Sequence, residues 1–169
     1  YRAQLPGQLL SPLSNQRTDE FGGSFANRAR FALMMLEEVK KVAGDDMLIE
    51  IQFSGEEPEG GYSVEEGIEF LKLAEPYVDL VQVRSAEGDP NPPIPFELDP
   101  TPFLSLAARI KSAGLDVLVS NVGGYFDPEI ADKAIADGKL DLVAMARAWI
   151  SNPDYGQLLY ENRKDDLVP

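Results

Sequence analysis

The 169-residue chain contains neither cysteine nor histidine. Without thiols there is no disulfide framework, thiolate metal site or cysteine nucleophile, and without imidazole the commonest general base near neutral pH is missing. Aromatic residues make up only 9% of the chain, yet 44% hydrophobic residues leave enough apolar material for the core of one domain. Positive charge is scarce as well: 15 Lys and Arg stand against 29 Asp and Glu, a net charge of −14. Such a chain repels nucleic acid and anionic membranes, and neither is expected as a partner. No apolar run is long enough to cross a bilayer, and Tyr1–Gly7 has neither the basic start nor the apolar stretch of a signal peptide, so the cytoplasm is the expected location. The start at Tyr1 without Met and the acidic tail ending at Pro169 suggest a piece of a longer polypeptide.

What is present is an alternating cadence of helix and strand. Phe25, Ala29, Ala32, Leu36, Val39 and Ala43 recur at helical spacing between Ser24 and Gly44, which predicts an amphipathic helix. Met47–Phe53 reads as a strand. The next turn-rich stretch holds Gly55, Gly60, Gly61 and Pro58, and Ser63 with Glu66 forms the pattern of a capping box for a helix running to Glu75. Val78–Val83 is a second strand. Gly88–Pro102 carries six prolines, a long extended loop of the kind a compact domain keeps for function. Thr101 and Pro102 open another helix, which Gly114 stops. Asp116–Val122 is a third strand; after Gly123-Gly124, Asp127 and Pro128 open a helix ending near Gly138. Leu140–Met145 is the fourth strand, followed by short helices over Arg147–Ser151 and Pro153–Arg163. Strands of nearly continuous Ile, Leu and Val, alternating with helices, imply an α/β fold with a parallel sheet covered by its crossovers.

In such folds ligands gather at the carboxyl ends of the strands, and in barrels the loops after the last two strands often hold a phosphate. Gly123-Gly124 would let main-chain N–H groups approach an anion closely. Ala146-Arg147 would add a guanidinium that forks onto two phosphate oxygens at the start of a short helix. On residues alone, this pair of loops is equally a tight turn and a surface cap.

The block LSPLSNQRTDEFGGSFANRARF from Leu10 to Phe31, the strand IEIQFSGEEPEGGYS, and the segment from Asn121 to Asp154 with its Met-Ala-Arg triplet, taken in that order, resemble the old yellow enzyme family of FMN-dependent oxidoreductases. The similarity is to the branch containing 2,4-dienoyl-CoA reductases, trimethylamine dehydrogenase and the gut flavin oxidoreductases of bile acids and steroids. It implies a (β/α)8 TIM-barrel fragment, residues 1–169 being the C-terminal half of an FMN-binding barrel with about four βα units, and a parent that passes hydride from NADH or NADPH through FMN to an activated alkene. By that resemblance Gly123, Gly124, Ala146 and Arg147 contact the FMN phosphate, and Gln52 stands where relatives often present an Arg to the flavin pyrimidine. A neutral amide there implies a lower reduction potential. The relatives' Tyr proton donor falls near Gln4, so no catalytic acid is assigned. Relatives in this branch also hold a [4Fe–4S] centre beyond the barrel, which a chain without cysteine cannot bind.

Other residues have plainer readings. Arg17, Asp19 and Glu20 read as an ion-pair network fixing their loop, and Arg28 and Arg30 as partners for nearby acids. Glu56, Glu57 and Glu59 read as a solvated turn rather than a cation site, and no metal ligand is assigned. Arg84 and Ser85 would face the mouth of a barrel. Phe31, Phe70, Phe103 and Trp149 fall at core spacing on helices. A half-barrel exposes two strand edges and an apolar face, so it is expected to form a homo-oligomer or to associate with the missing half. Two rival functions remain at this stage: a flavin-free phosphate-binding isomerase or aldolase, and an inert half-barrel.

Overall fold

A computed structural model describes residues 4–84 and 101–168. Helix α1 spans Leu5–Leu10 and α2 Phe25–Ala43; strand β1 is Glu50–Phe53, α3 Val64–Ala74, β2 Leu80–Val83, α4 Leu104–Lys111, β3 Leu118–Val122, α5 Pro128–Ala136, β4 Leu142–Ala144, α6 Arg147–Ser151 and α7 Tyr155–Tyr160. The four strands pair in sequence order, β1-β2-β3-β4, and every pair is parallel. This is the arrangement that the alternation of apolar strands and amphipathic helices requires, since parallel neighbours need a crossover long enough to hold a helix.

The register divides the sheet into two unlike faces. Ile51, Val81 and Val119 align across three strands, and Phe53, Val83, Asn121 and Val143 across all four. This face is buried against Ala29, Ala32 and Leu36 of α2, Phe70, Leu71 and Ala74 of α3, Ala107 and Ile110 of α4, and Ala131 and Ala134 of α5. Phe53 stacks between Tyr62 and Phe70, with ring centroids 5.9 and 5.6 Å away. The opposite face presents Glu50, Gln52, Gln82, Ser120, Leu118 and Leu142, and both of those leucines are exposed.

Several local expectations shift. β1 begins at Glu50 rather than Met47, because Met47 and Leu48 project into solvent at 62% and 60% exposure while Ile49 alone turns inward. Ser63 does cap α3 by accepting from the Glu66 N–H, but the Glu66 side chain does not reciprocate: its carboxylate accepts from Arg28 Nη2 at 2.8 Å. α4 starts at Leu104, after a turn in which the Leu104 N–H reaches the Thr101 carbonyl. The α2 stripe loses Val39, which is exposed, and Phe31 is only half-buried. Trp149, expected in the core, is 46% exposed and lies over Tyr155 with centroids 5.5 Å apart. The proline-rich loop and Ser85 lie outside the described residues. Among the described residues no helix is long and apolar enough to cross a membrane.

The loop before α2 is held by a buried hub. Arg28, 7% exposed, donates from Nε to the Leu10 carbonyl, from Nη1 to Gly23 and from Nη2 to Glu66, thereby joining the end of α1, the loop and α3. Its role is therefore larger than partnering an acid on its own helix. Arg17 and Asp19 form the expected ion pair, through Nε–Oδ1 and Nη2–Oδ2, whereas Glu20 contributes its backbone carbonyl to Arg30.

Candidate functional site

The carboxyl ends of β3 and β4 open onto a cleft of about 640 Å³. Its walls include Gly123 and Gly124 after β3, and Ala146 and Arg147 after β4, so four sequence-predicted residues from two separate loops share one cavity. Gly123 and Gly124 have φ of 127° and 85°, values side-chain-bearing residues rarely adopt. A Cβ on Gly123 would also lie 2.9 Å from Phe103 Cδ2, so this turn is both backbone-specified and sterically tight.

Buried polar groups anchor the turn on either side. Asn121, wholly buried, donates from Nδ2 to the Val83 carbonyl at 2.9 Å and accepts at Oδ1 from the Tyr125 hydroxyl at 2.7 Å. The next residue along, Phe126, offers its carbonyl to the Tyr155 hydroxyl at 2.9 Å, which pins α7 against the same loop. Burial first, and Asp127 second, hold the Tyr155 phenol above its ordinary pKa, so it remains a donor throughout the neutral range. Asn152 in turn ties the tail, donating to Val168 O and accepting from Val168 N. Sequence reasoning did not single out Asn121, Tyr125 or Tyr155; the one available signal was the polar Asn121 inside an otherwise apolar strand.

Arg147 is an exposed residue at the first position of α6. That helix has five residues, too few for aligned peptide dipoles to build a strong field. Gln52 does not join this group. It sits at the head of β1, beside a separate recess of about 350 Å³, where its Oε1 accepts from Arg84 Nη1 at 3.1 Å. Gln4, which falls near the position of the relatives' proton donor, lines that same recess. Glu57 is engaged structurally, its Oε2 accepting from Ser11 Oγ at 2.6 Å, and among the described residues no group of three or more potential ligands could hold a metal ion.

Comparison with known proteins gives the geometry its context. The chain is 35% identical over 170 residues to the NADH oxidase of Thermoanaerobacter brockii, covering 96% of this chain and 26% of that protein. It is 34% identical over 173 residues to the multifunctional alkene reductase/demethylase OYE of Caballeronia cordobensis, covering 98% and 25%. A solved 2-naphthoyl-CoA reductase, in complex with 2-naphthoyl-CoA, superposes with a TM-score of 0.88 at 32% identity over 99% of this chain and 26% of that one. The chain thus spans about a quarter of the length of these relatives. Its sheet and helices are a fragment of an old yellow enzyme-like TIM barrel. The family model for NADH:flavin oxidoreductases and NADH oxidases matches residues 2–166, and the chain belongs to that family.

Proposed function

We propose that this segment supplies the phosphate anchorage for FMN in an NAD(P)H-dependent oxidoreductase that delivers hydride to an activated alkene. One observation carries the reading: Gly123, Gly124, Ala146 and Arg147, far apart in sequence, line a single cleft at the ligand end of a parallel sheet. The donor set fits a phosphate monoester. Two successive glycines leave the main chain unshielded, and a guanidinium on the facing loop offers paired N–H groups to two oxygens. When bound, the flavin supplies the hydride chemistry, while the protein contributes binding, orientation and electrostatics.

In this reading the four βα units form the C-terminal half of the barrel, because barrel phosphate sites follow the last two strands and the cleft here follows β3 and β4. The first-half strands would complete the ring and substrate sites, so the isolated segment is inactive. Its open face, with Leu118 and Leu142 exposed, is covered by that other half or by a second copy.

The test is FMN retention by the intact enzyme that carries this segment. Arg147→Ala should weaken FMN binding by about tenfold or more, the value of one charge-assisted fork. Arg147→Lys should fall between the two, since an ammonium cannot make the bidentate contact. FMN affinity unchanged in Arg147→Ala, or an intact enzyme without a flavin spectrum, would refute the assignment.

A further inference from the structure

The sheet face that the helices leave uncovered is polar where the inside of a barrel is ordinarily apolar. In a closed (β/α)8 barrel that face is the interior, filled by layers of side chains in which Val, Ile and Leu dominate. Here Gln52, Gln82 and Ser120 stand in register on β1, β2 and β3, and Glu50 lies two residues before Gln52 on the same face. Glu50 is the one charged residue that the strand segments β1–β4 turn to this side. Its carboxylate accepts from Gln82 Nε2, a neutral amide, at 3.0 Å. The acids that enter the neighbouring strands are better provided for: Asp141 accepts from Lys111 Nζ and the Val119 N–H, and Asp79 from the Ile49 N–H. Ser120, 3% exposed, adds a hydroxyl with no hydrogen-bond partner among the described residues. The uncovered face therefore holds two polar groups that this segment does not complete.

We propose that Glu50 is a docking charge: barrel strands of the same polypeptide that lie outside this segment present a Lys or Arg side chain to its carboxylate inside the closed barrel. This rests on the half-barrel reading above and not on FMN. The chain spans about a quarter of its relatives' length, and its four strands are half of the eight that a (β/α)8 barrel needs, so other strands complete the interior. Closure takes Glu50, exposed in this segment, out of water. One neutral hydrogen bond does not offset the desolvation of a carboxylate, whereas an opposite charge with good geometry does. The segment itself carries a net charge of −14, so the complementary charge comes from the other side of the interface. A second copy is the poorer occupant. Packed through this face about a two-fold axis, it would bring an identical acid to the same interface.

The experiment uses the intact enzyme that carries this segment, with its structure showing what faces Glu50 and amide hydrogen exchange of β1 and β2 reading the strength of the contact. The structure should place a Lys or Arg nitrogen from outside this segment within about 4 Å of the Glu50 carboxylate. Glu50→Gln keeps the shape but strands that cation, and should speed exchange of the β1 amides by about tenfold or more. Replacing the cation by Met in the Glu50→Gln background should slow exchange again, because a pair of neutral groups is tolerated where a lone buried charge is not. If Glu50 served only to fill space, the double variant would exchange at least as fast as Glu50→Gln. That result, a change of less than about twofold in Glu50→Gln, or a closed barrel with only water or apolar groups at Glu50 overturns the proposal. If Glu50→Gln does not fold, the wild-type structure decides alone. An intact enzyme in which this face meets solvent or a second copy sinks the half-barrel reading itself, whereas a closed barrel without a cation at Glu50 sinks only the docking charge.

Discussion

Replacing Asn121 should damage both the stability of the sheet and the affinity of the cleft, through one linked pair of hydrogen bonds. Its Nδ2 bond to Val83 O crosses from β3 to β2, and its Oδ1 bond from Tyr125 spans the glycine turn, all in a site with no solvent access. Asn121→Leu keeps similar volume but removes one donor and one acceptor from buried partners. Each neutral bond is worth about 1 kcal/mol net, and desolvated groups left behind raise the total to about 2–4 kcal/mol. That is a large part of the 5–15 kcal/mol by which domains are typically stable. Tyr125→Phe removes only the hydroxyl and should cost about 1–2 kcal/mol. Denaturant unfolding of the flavin-free protein would give these values, and FMN titration would show how much of each loss reaches the cleft, at about tenfold in Kd per 1.4 kcal/mol. In the double variant the Tyr125 loss should vanish, because Asn121→Leu has already removed its acceptor. Losses that add to within about 0.5 kcal/mol would show the two residues to be independent and would refute the claim that Asn121 positions the turn.

Three further outcomes concern the glycine turn, Asp141 and Arg28. Gly123→Ala should destabilise the protein and reduce FMN binding together, since φ of 127° and a 2.9 Å approach to Phe103 oppose any Cβ; an alanine variant with wild-type melting and affinity would contradict the tight-turn account. Burial tends to raise the Asp141 carboxyl, but bonds from Lys111 Nζ and the Val119 N–H outweigh it and leave its pKa lowered. A lowered folded-state value means that the stabilisation, about 1–2 kcal/mol, is present above the unfolded pKa near 3.9 and disappears as pH falls through the folded one; the stability gap between wild type and Asp141→Asn should therefore close on acidification, and a gap constant down to about pH 2 would show no linkage. Arg28→Met should loosen α1 and the Leu10–Gly23 loop and cost about 2–4 kcal/mol, because it removes the donor shared by one buried and two partly buried acceptors; hydrogen exchange unchanged in that loop would count against the hub.

The parts of this fold that were legible in sequence are those coded by period and punctuation. The α2 stripe, the four apolar strands, the Ser63 and Asp127 caps and the glycine stops are local signals, and the structure reproduces them within a few residues. Four of the cleft residues were legible for the same reason: glycine pairs and an Arg after a strand are local features on which topology converges. What sequence could not supply were partnerships across long separations. Glu66 fits a capping box by spacing, yet a buried Arg28 lying 38 residues away needs its carboxylate more than the exposed Ser63 N–H does. The sequence analysis assigned no element to Leu5–Leu10, and α1 is held there by the Asn15 and Arg28 bonds to Leu9 and Leu10. Gln52 and Arg84 were each singled out in sequence but not as partners, since the bond between them joins neighbouring strands 32 residues apart.

The two ends of the sheet are built on different principles, which is why a site can sit at one without weakening the other. At the amino ends, Asp79 Oδ2 accepts the Ile49 N–H and Asp141 Oδ2 accepts the Val119 N–H, each at 2.8 Å. In both cases an acid entering one strand satisfies a donor on the strand before it, so the device recurs in the Val78-Asp79-Leu80-Val81 and Leu140-Asp141-Leu142-Val143 stretches. These bonds fix strand register at the amino ends. At the carboxyl ends stand Gly123, Gly124, Arg147, Gln52 and Arg84, which line the two recesses there. Asn121 and Tyr155 reach this end only from beneath, bracing the loops without entering the cleft.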